Sequence, residues 1–155
     1  MNERVSASRD IAAPADAIWA LVTDLPRMGE WSSENLGGKW LKGAVGPAPG
    51  ATFRGANRNG IYWWKTKAIV QECIPGERFS FRVTSLGIPV SEWTYEFEAT
   101  EAGCRVTESW VDRRPGFFKP ISSMATGVRD RETHTRAELA QTLDSLAAAA
   151  EAQAG

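Results

Sequence analysis

Glu108 stands between Val106 and Trp110 at two-residue spacing, the period of a β-strand, so the three side chains share one face. Were that face turned into an enclosed space, the carboxylate would sit among aromatic rings. Its charged form would be disfavoured, and a carboxyl neutral near physiological pH can serve as a general acid or base. The plainer alternative is a polar residue paired with an Arg, or a register that turns Glu108 to solvent, since perturbed carboxylates are often structural. Tyr95 lies in the most regular alternation of the chain, with Trp93, Phe97 and Ala99 on its side and Glu92, Thr94, Glu96 and Glu98 on the other. Pointing inward, its hydroxyl could donate to a carbonyl or enolate; the alternative is a core tyrosine with its hydroxyl satisfied at the rim. Asn57, on the same strand face as Phe53 and Gly55, is either a polar anchor in the same space or a turn residue beside Asn59-Gly60.

His134 is the single histidine, with Asp130 four residues before it and Glu138 four after. A charge-tuned base is conceivable on that spacing. The stripe falls away from Met124, Val128, Leu139 and Leu143, however, so an exposed position on a helix is expected, and one histidine does not by itself build a zinc site. Cys73 and Cys104 are far apart without metal-ligand spacing and read as reduced, mostly buried thiols of a cytoplasmic protein. No phosphate loop, dinucleotide fingerprint or nucleophile elbow occurs, and no cofactor is expected. Seven tryptophans in 155 residues is a high count. Trp31, Trp64, Trp93 and Trp110 are candidates for an aromatic wall, the alternative being ordinary core packing. Phe53, Phe81, Met124 and Val128 complete the set expected to touch a ligand.

These residues need elements to hold them. A first strand is expected over Val5–Ile11. A helix follows with Pro14 at its first position and Ile18, Leu21 and Val22 inward, then a second short helix capped by Asp24 with Pro26 in its first turn. Glycines and prolines between 35 and 53 mark loops around a short strand near Gly38–Lys42, and Gly43–Gly50 reads as a mobile loop at a cavity mouth. Asn59-Gly60 signals a hairpin from Thr52 onward into a long strand, Tyr62–Cys73, with Trp64, Thr66, Ala68 and Val70 on one face. Pro75-Gly76, Gly87 and Ala102-Gly103 punctuate further strands, with Phe79, Phe81 and Val83 on one side and Ser80 and Arg82 on the other; Arg54 and Arg82 are expected outward. From about Lys119 the stripe Met124, Val128, Thr135, Leu139, Thr142, Leu143 and Leu146 reads as one long terminal helix, Ala-rich at its end and fraying at Gly155. A sheet with one apolar face must be covered, and only that helix is long enough.

Composition sets outer limits. Hydrophobic residues at 43% and charged residues at 24% describe a folded domain. One domain is expected over 1–155. The net charge of −1 gives no field favouring nucleic acid or an anionic membrane. The basic residues Arg113, Arg114, Lys119, Arg129, Arg131 and Arg136 are interleaved with Asp112, Asp130, Glu132 and Glu138 and read as a solvated surface. The charged start Met1–Arg4 leads into no apolar targeting segment, and no run has the length of a membrane span.

In this order the chain resembles the SRPBCC superfamily, the START-like or Bet v 1-like helix-grip fold, and within it the polyketide cyclase/dehydrase branch. The likeness is carried by Ile11-Ala12-Ala13-Pro14-Ala15-Asp16-Ala17-Ile18-Trp19, Gly29-Glu30-Trp31-Ser32, Gly50-Ala51-Thr52-Phe53-Arg54-Gly55-Ala56-Asn57-Arg58, and Trp64 with Thr66. It continues through Pro75-Gly76, Trp93-Thr94-Tyr95-Glu96-Phe97, Gly103-Cys104-Arg105-Val106-Thr107-Glu108-Ser109 and Gly127-Val128-Arg129-Asp130-Arg131. The resemblance implies an α+β fold, a curved antiparallel sheet of about seven strands wrapped around a long C-terminal helix, with two short helices after the first strand and an internal cavity. It does not imply one activity, because lipid carriers, hormone receptors and aromatic cyclases share the fold. The expected partner is a small hydrophobic ligand, lipid-, polyketide- or aromatic-like, bound by a monomer or homodimer. A cyclase or dehydratase using Glu108 and Tyr95 is the second reading, and a stress-related or interaction protein with a vestigial cavity the third.

Overall fold

A computed structural model describes residues 4–32 and 34–154. The strands are β1 (Arg4–Ile11), β2 (Asn35–Trp40), β3 (Thr52–Asn59), β4 (Tyr62–Ile74), β5 (Arg78–Ser85), β6 (Ile88–Ala99) and β7 (Cys104–Asp112). The helices are α1 (Ala15–Val22), a 3₁₀ turn (Leu25–Glu30), α2 (Phe118–Thr126) and α3 (Arg131–Ala154). All seven strands pair antiparallel in the order β1-β7-β6-β5-β4-β3-β2. This is the helix-grip architecture expected from the sequence, and α3 packs along β1, β7 and α1.

Alternation decides which face each strand buries. Trp93, Tyr95 and Phe97 of β6 stand opposite Trp110, Glu108 and Val106 of β7, as the two periodicities require. The core gathers on the concave side: Ile11, Ile18, Val22, Leu25, Phe79, Val106, Leu143 and Leu146 are all buried. A satellite cluster of Val5, Trp110 and Leu139 closes the other end of α3 against the sheet. Arg54 and Arg82 point outward as expected.

Four local expectations are corrected. Pro14 is the N-cap of α1 rather than its first residue, a shift of one position. Asp24 precedes the 3₁₀ turn but makes no side-chain cap; it leans toward Arg27 instead, 3.8 Å away. β2 starts at Asn35, and the Gly43–Gly50 loop joins the ends of β2 and β3 remote from the β3–β4 turn, contributing no residue to the cavity described below. The terminal helix is two helices. Gly127 adopts the left-handed conformation (φ 72°) and ends α2. A Cβ there would fall 2.5 Å from the Tyr62 ring, so any other residue must also displace that ring. Asp130 then opens α3, its carboxylate accepting from the Thr133 N–H at 3.1 Å and the Thr133 hydroxyl at 2.7 Å. Gly155 lies outside the described residues.

Candidate functional site

Between the concave face, α2 and α3 lies a cavity of about 160 Å³. Phe53, Asn57, Trp64, Phe81, Trp93, Tyr95, Glu108 and Trp110 all line it. Their convergence follows from register: β3, β4, β5, β6 and β7 each present one alternate set of side chains to the same hollow. Three expected members do not join them. Trp31 is buried in the main core. Val128 is buried in the α2–α3 junction and Met124 lies on the outer side of α2, 80% exposed, because the break at Gly127 dissolves the single stripe that grouped them.

At the sheet side of the cavity the Tyr95 hydroxyl donates to Glu108 Oε1 at 2.6 Å, both side chains being buried. Burial pushes the Glu108 carboxyl up to about 8; the Tyr95 bond opposes this and the nearby Glu138 charge adds to it. The same burial, with the Glu108 charge, holds the Tyr95 phenol well above its ordinary value. Glu108 Oε2 has no hydrogen-bond partner among the described residues. Because Oε1 is already an acceptor, the proton of the neutral carboxyl belongs on Oε2. The pair therefore offers an uncharged O–H donor beside Phe81, Trp93 and Trp110. Asn57 Nδ2 donates to Thr66 Oγ1 at 3.0 Å, a second polar point between β3 and β4.

A charged cluster borders the cavity where α3 begins. Glu34 accepts from Arg131 Nη1 at 3.1 and 3.2 Å and lies 2.8 Å from His134 Nε2. Burial raises the Glu34 carboxyl, but the His134 hydrogen bond and the Arg131 charge outweigh it and hold it below the usual range. Arg131 also stacks over Trp64, 5.9 Å from the ring centroid. His134 is thus a half-buried partner of Glu34, not the exposed residue expected: the chain before β2 folds across α3 and covers it. Glu34, His134 and Glu138 each bring one potential metal-ligand atom within 4.8 Å of the others, yet the Arg131 guanidinium already supplies the cation on Glu34. Just past the end of β7, Arg114 grips Asp112 through two parallel bonds of 2.9 and 2.7 Å and lines the cavity.

Sequence reasoning missed Glu34, Arg131, Glu138 and Arg114 as cavity residues. The i, i+4 spacing of His134 and Glu138 was visible, but Glu34 lies in a segment without periodicity, so nothing pointed to its place opposite them.

The sequence profile of the family described as polyketide cyclase/dehydrase and lipid transport matches residues 2–151. No curated protein matches the chain in sequence. Among solved structures, the polyketide-cyclase-like protein Cgl2372 from Corynebacterium glutamicum is 30% identical, with 92% of this chain and 90% of that one covered and a TM-score of 0.61. The di-domain ARO/CYC StfQ from the steffimycin biosynthetic pathway is 15% identical, with a TM-score of 0.77; all of this chain is covered but only 52% of StfQ, so the chain spans about half of that protein. Ms6760 from Mycobacterium smegmatis is 17% identical, with 97% and 92% covered and a TM-score of 0.66. The 15% and 17% likenesses concern the fold alone.

Proposed function

The chain belongs to the polyketide cyclase/dehydrase and lipid transport family, and from that premise we propose that its cavity binds one small, largely apolar, uncharged molecule that carries an oxygen function. The observation that carries this reading is the pairing of aromatic walls with a buried, neutral carboxyl. Phe53, Trp64, Phe81, Trp93 and Trp110 surround the hollow. Burying one ring's surface, roughly 150 Å², is worth about 4 kcal/mol. The Tyr95–Glu108 pair supplies a directional contact to a carbonyl or hydroxyl. Size narrows the class: a dry cavity of about 150 Å³ takes a benzene-sized guest, and the 160 Å³ found here suits one or two rings better than a long acyl chain or a multi-ring polyketide. Native mass spectrometry of freshly purified protein tests the reading. A co-purifying neutral compound of that size supports it; a carboxylate or phospholipid, or tight binding of small phenols that survives Trp64→Ala and Phe81→Ala, refutes it.

One observation favours a second reading, an acid–base enzyme of the cyclase or dehydratase kind. The Glu108 carboxyl, pushed up to about 8, is poised to exchange a proton near neutral pH. Glu108→Gln separates the two. A binder keeps its ligand with modest loss, whereas an enzyme keeps the ligand and loses turnover.

A further inference from the structure

Helix α2 is amphipathic in the reverse of the usual sense. Its cavity side carries Phe118, Ser122 and Thr126, all buried, while Phe117, Ile121 and Met124 on its outer side are 67%, 54% and 80% exposed. Spacings of four and three residues make these one stripe. The β3–β4 turn adjoins it: Asn59 Nδ2 donates to the Thr126 carbonyl at 3.0 Å, and the Tyr62 ring abuts Gly127. In that hairpin Ile61 is 85% and Trp63 60% exposed, and at the β5–β6 turn, on the same end of the sheet, Leu86 is 95% exposed. Exposed apolar residues scattered singly mean little, but a concentration at one end of a molecule marks an interaction surface.

The exposed charge around this rim is mainly positive. Residues 52–71 and 113–129 contain eight Lys or Arg and no Asp or Glu; of these, Arg54 and Lys67 lie five ladder pairs back from the β3–β4 turn, and Arg113 and Arg114 are paired with Glu92 and Asp112. Arg58, Lys65, Lys119 and Arg129 among them are exposed. Three pairs at this end cancel internally, Glu92 with Arg113, Asp112 with Arg114 and Glu34 with Arg131, and Asp130, which caps α3, is the one exposed carboxylate beside the four cations. Exposed aliphatic and aromatic side chains flanked by four exposed Lys and Arg against one exposed Asp match the chemistry of a bilayer surface rich in anionic headgroups. Among the described residues no helix is long and apolar enough to cross a membrane.

We propose that this end of the protein, the outer face of α2 with the β3–β4 and β5–β6 turns, docks on the surface of an anionic lipid bilayer. The inference is independent of what the cavity holds. A second copy is a poorer occupant, because a twofold contact would press two basic rims together.

The test is co-sedimentation of the full chain with vesicles of phosphatidylcholine alone and of equal parts phosphatidylcholine and phosphatidylglycerol, paired with sedimentation equilibrium without lipid. The expected result is a partition coefficient at least about tenfold higher for the anionic vesicles, falling as salt is raised. Ile121→Ser/Met124→Ser and, separately, Lys119→Glu/Arg129→Glu should each lower it by about tenfold or more. All four side chains are exposed, so circular dichroism should show the fold intact; Val45→Ser, in the remote β2–β3 loop, should bind as the unaltered chain does. Equal binding to both vesicles, no binding, or variants that bind normally would overturn the proposal. So would a dimer abolished by Ile121→Ser/Met124→Ser, which would assign the face to a second copy.

Discussion

Tyr95 and Glu108 face each other directly across the β6–β7 ladder, hydroxyl to carboxylate oxygen at 2.6 Å, with both side chains sealed from solvent. Neither strand alone explains the pair. Each residue is the member of an alternating set that register brings opposite its partner, and the sheet's curvature then surrounds both with aromatic surface. A carboxyl kept neutral by its surroundings leaves a mark on stability.

Glu108 keeps its proton in the folded chain up to about pH 8, whereas the unfolded chain releases it near the ordinary value of about 4.3. Between those two values the folded state binds more protons, so stability falls as pH rises, by up to about 1.4 kcal/mol per pH unit from this group alone. Glu108→Gln removes the titration. Urea denaturation from pH 5 to 8 should show the variant gaining on the unaltered protein with each step upward; parallel curves would mean that Glu108 is ionised in the fold.

Tyr95→Phe takes away the hydrogen bond that favours the ionised carboxylate. The upper limit of the Glu108 window should therefore move to higher pH. The abandoned acceptor should cost about 1–3 kcal/mol. The same pH series, run on this variant, reads both effects, and a window that moves downward would contradict the assigned direction of the bond.

Gly127→Ala should destabilise the chain more than a helix-end substitution usually does. The residue holds φ 72°, and its absent Cβ would meet the Tyr62 ring at 2.5 Å. Left-handed strain alone is about 1–2 kcal/mol, and displacing a tyrosine adds to it. Thermal unfolding with Tyr62→Ala/Gly127→Ala as comparison divides the two: the double variant should recover the steric part only.

What the sequence revealed and what it hid divide along physical lines. The faces of β4, β6 and β7 are readable because alternation encodes them residue by residue, and that alternation alone puts Trp64, Tyr95, Glu108 and Trp110 on inward faces. The α2–α3 break was missed although Gly127 and Asp130 were in view, because Met124 and Val128 continued an acceptable helical stripe through the break; periodicity does not see a left-handed residue. Glu34 was invisible for a different reason. Its importance is a long-range contact with Arg131 and His134, and no local pattern reports which loop crosses which helix.

Arg114 and Asp112 form a nearly inaccessible ion pair at the end of β7. Burial raises the Asp112 carboxyl and the Arg114 bonds bring it below its ordinary value. Arg114→Met takes the guanidinium from a buried carboxylate that keeps the backbone N–H of residue 114, and should cost about 3–5 kcal/mol at pH 7, with much of the loss recovered in Asp112→Asn/Arg114→Met. A double-mutant cycle by urea denaturation measures the coupling, and additive losses would show that the two side chains act separately.

Glu34 gives the opposite sign of pH dependence from Glu108. Its folded carboxyl titrates below the ordinary range because His134 and Arg131 outweigh burial. The unfolded chain therefore takes up the proton first as pH falls. The stability Glu34 contributes is complete above the unfolded value of about 4.3 and disappears as pH drops through the folded one. Glu34→Gln keeps the shape but weakens a charge-assisted contact, so it should cost about 1.5–3 kcal/mol at pH 7. The deficit should hold steady down to about pH 5 and close only under acid conditions. Because Arg131 also stacks on Trp64 at the cavity edge, the same substitution should alter tryptophan fluorescence at pH 7, by releasing the guanidinium from its fixed position. A Glu34→Gln protein with native fluorescence and a deficit independent of pH would show that Arg131 is held by the ring rather than by the carboxylate.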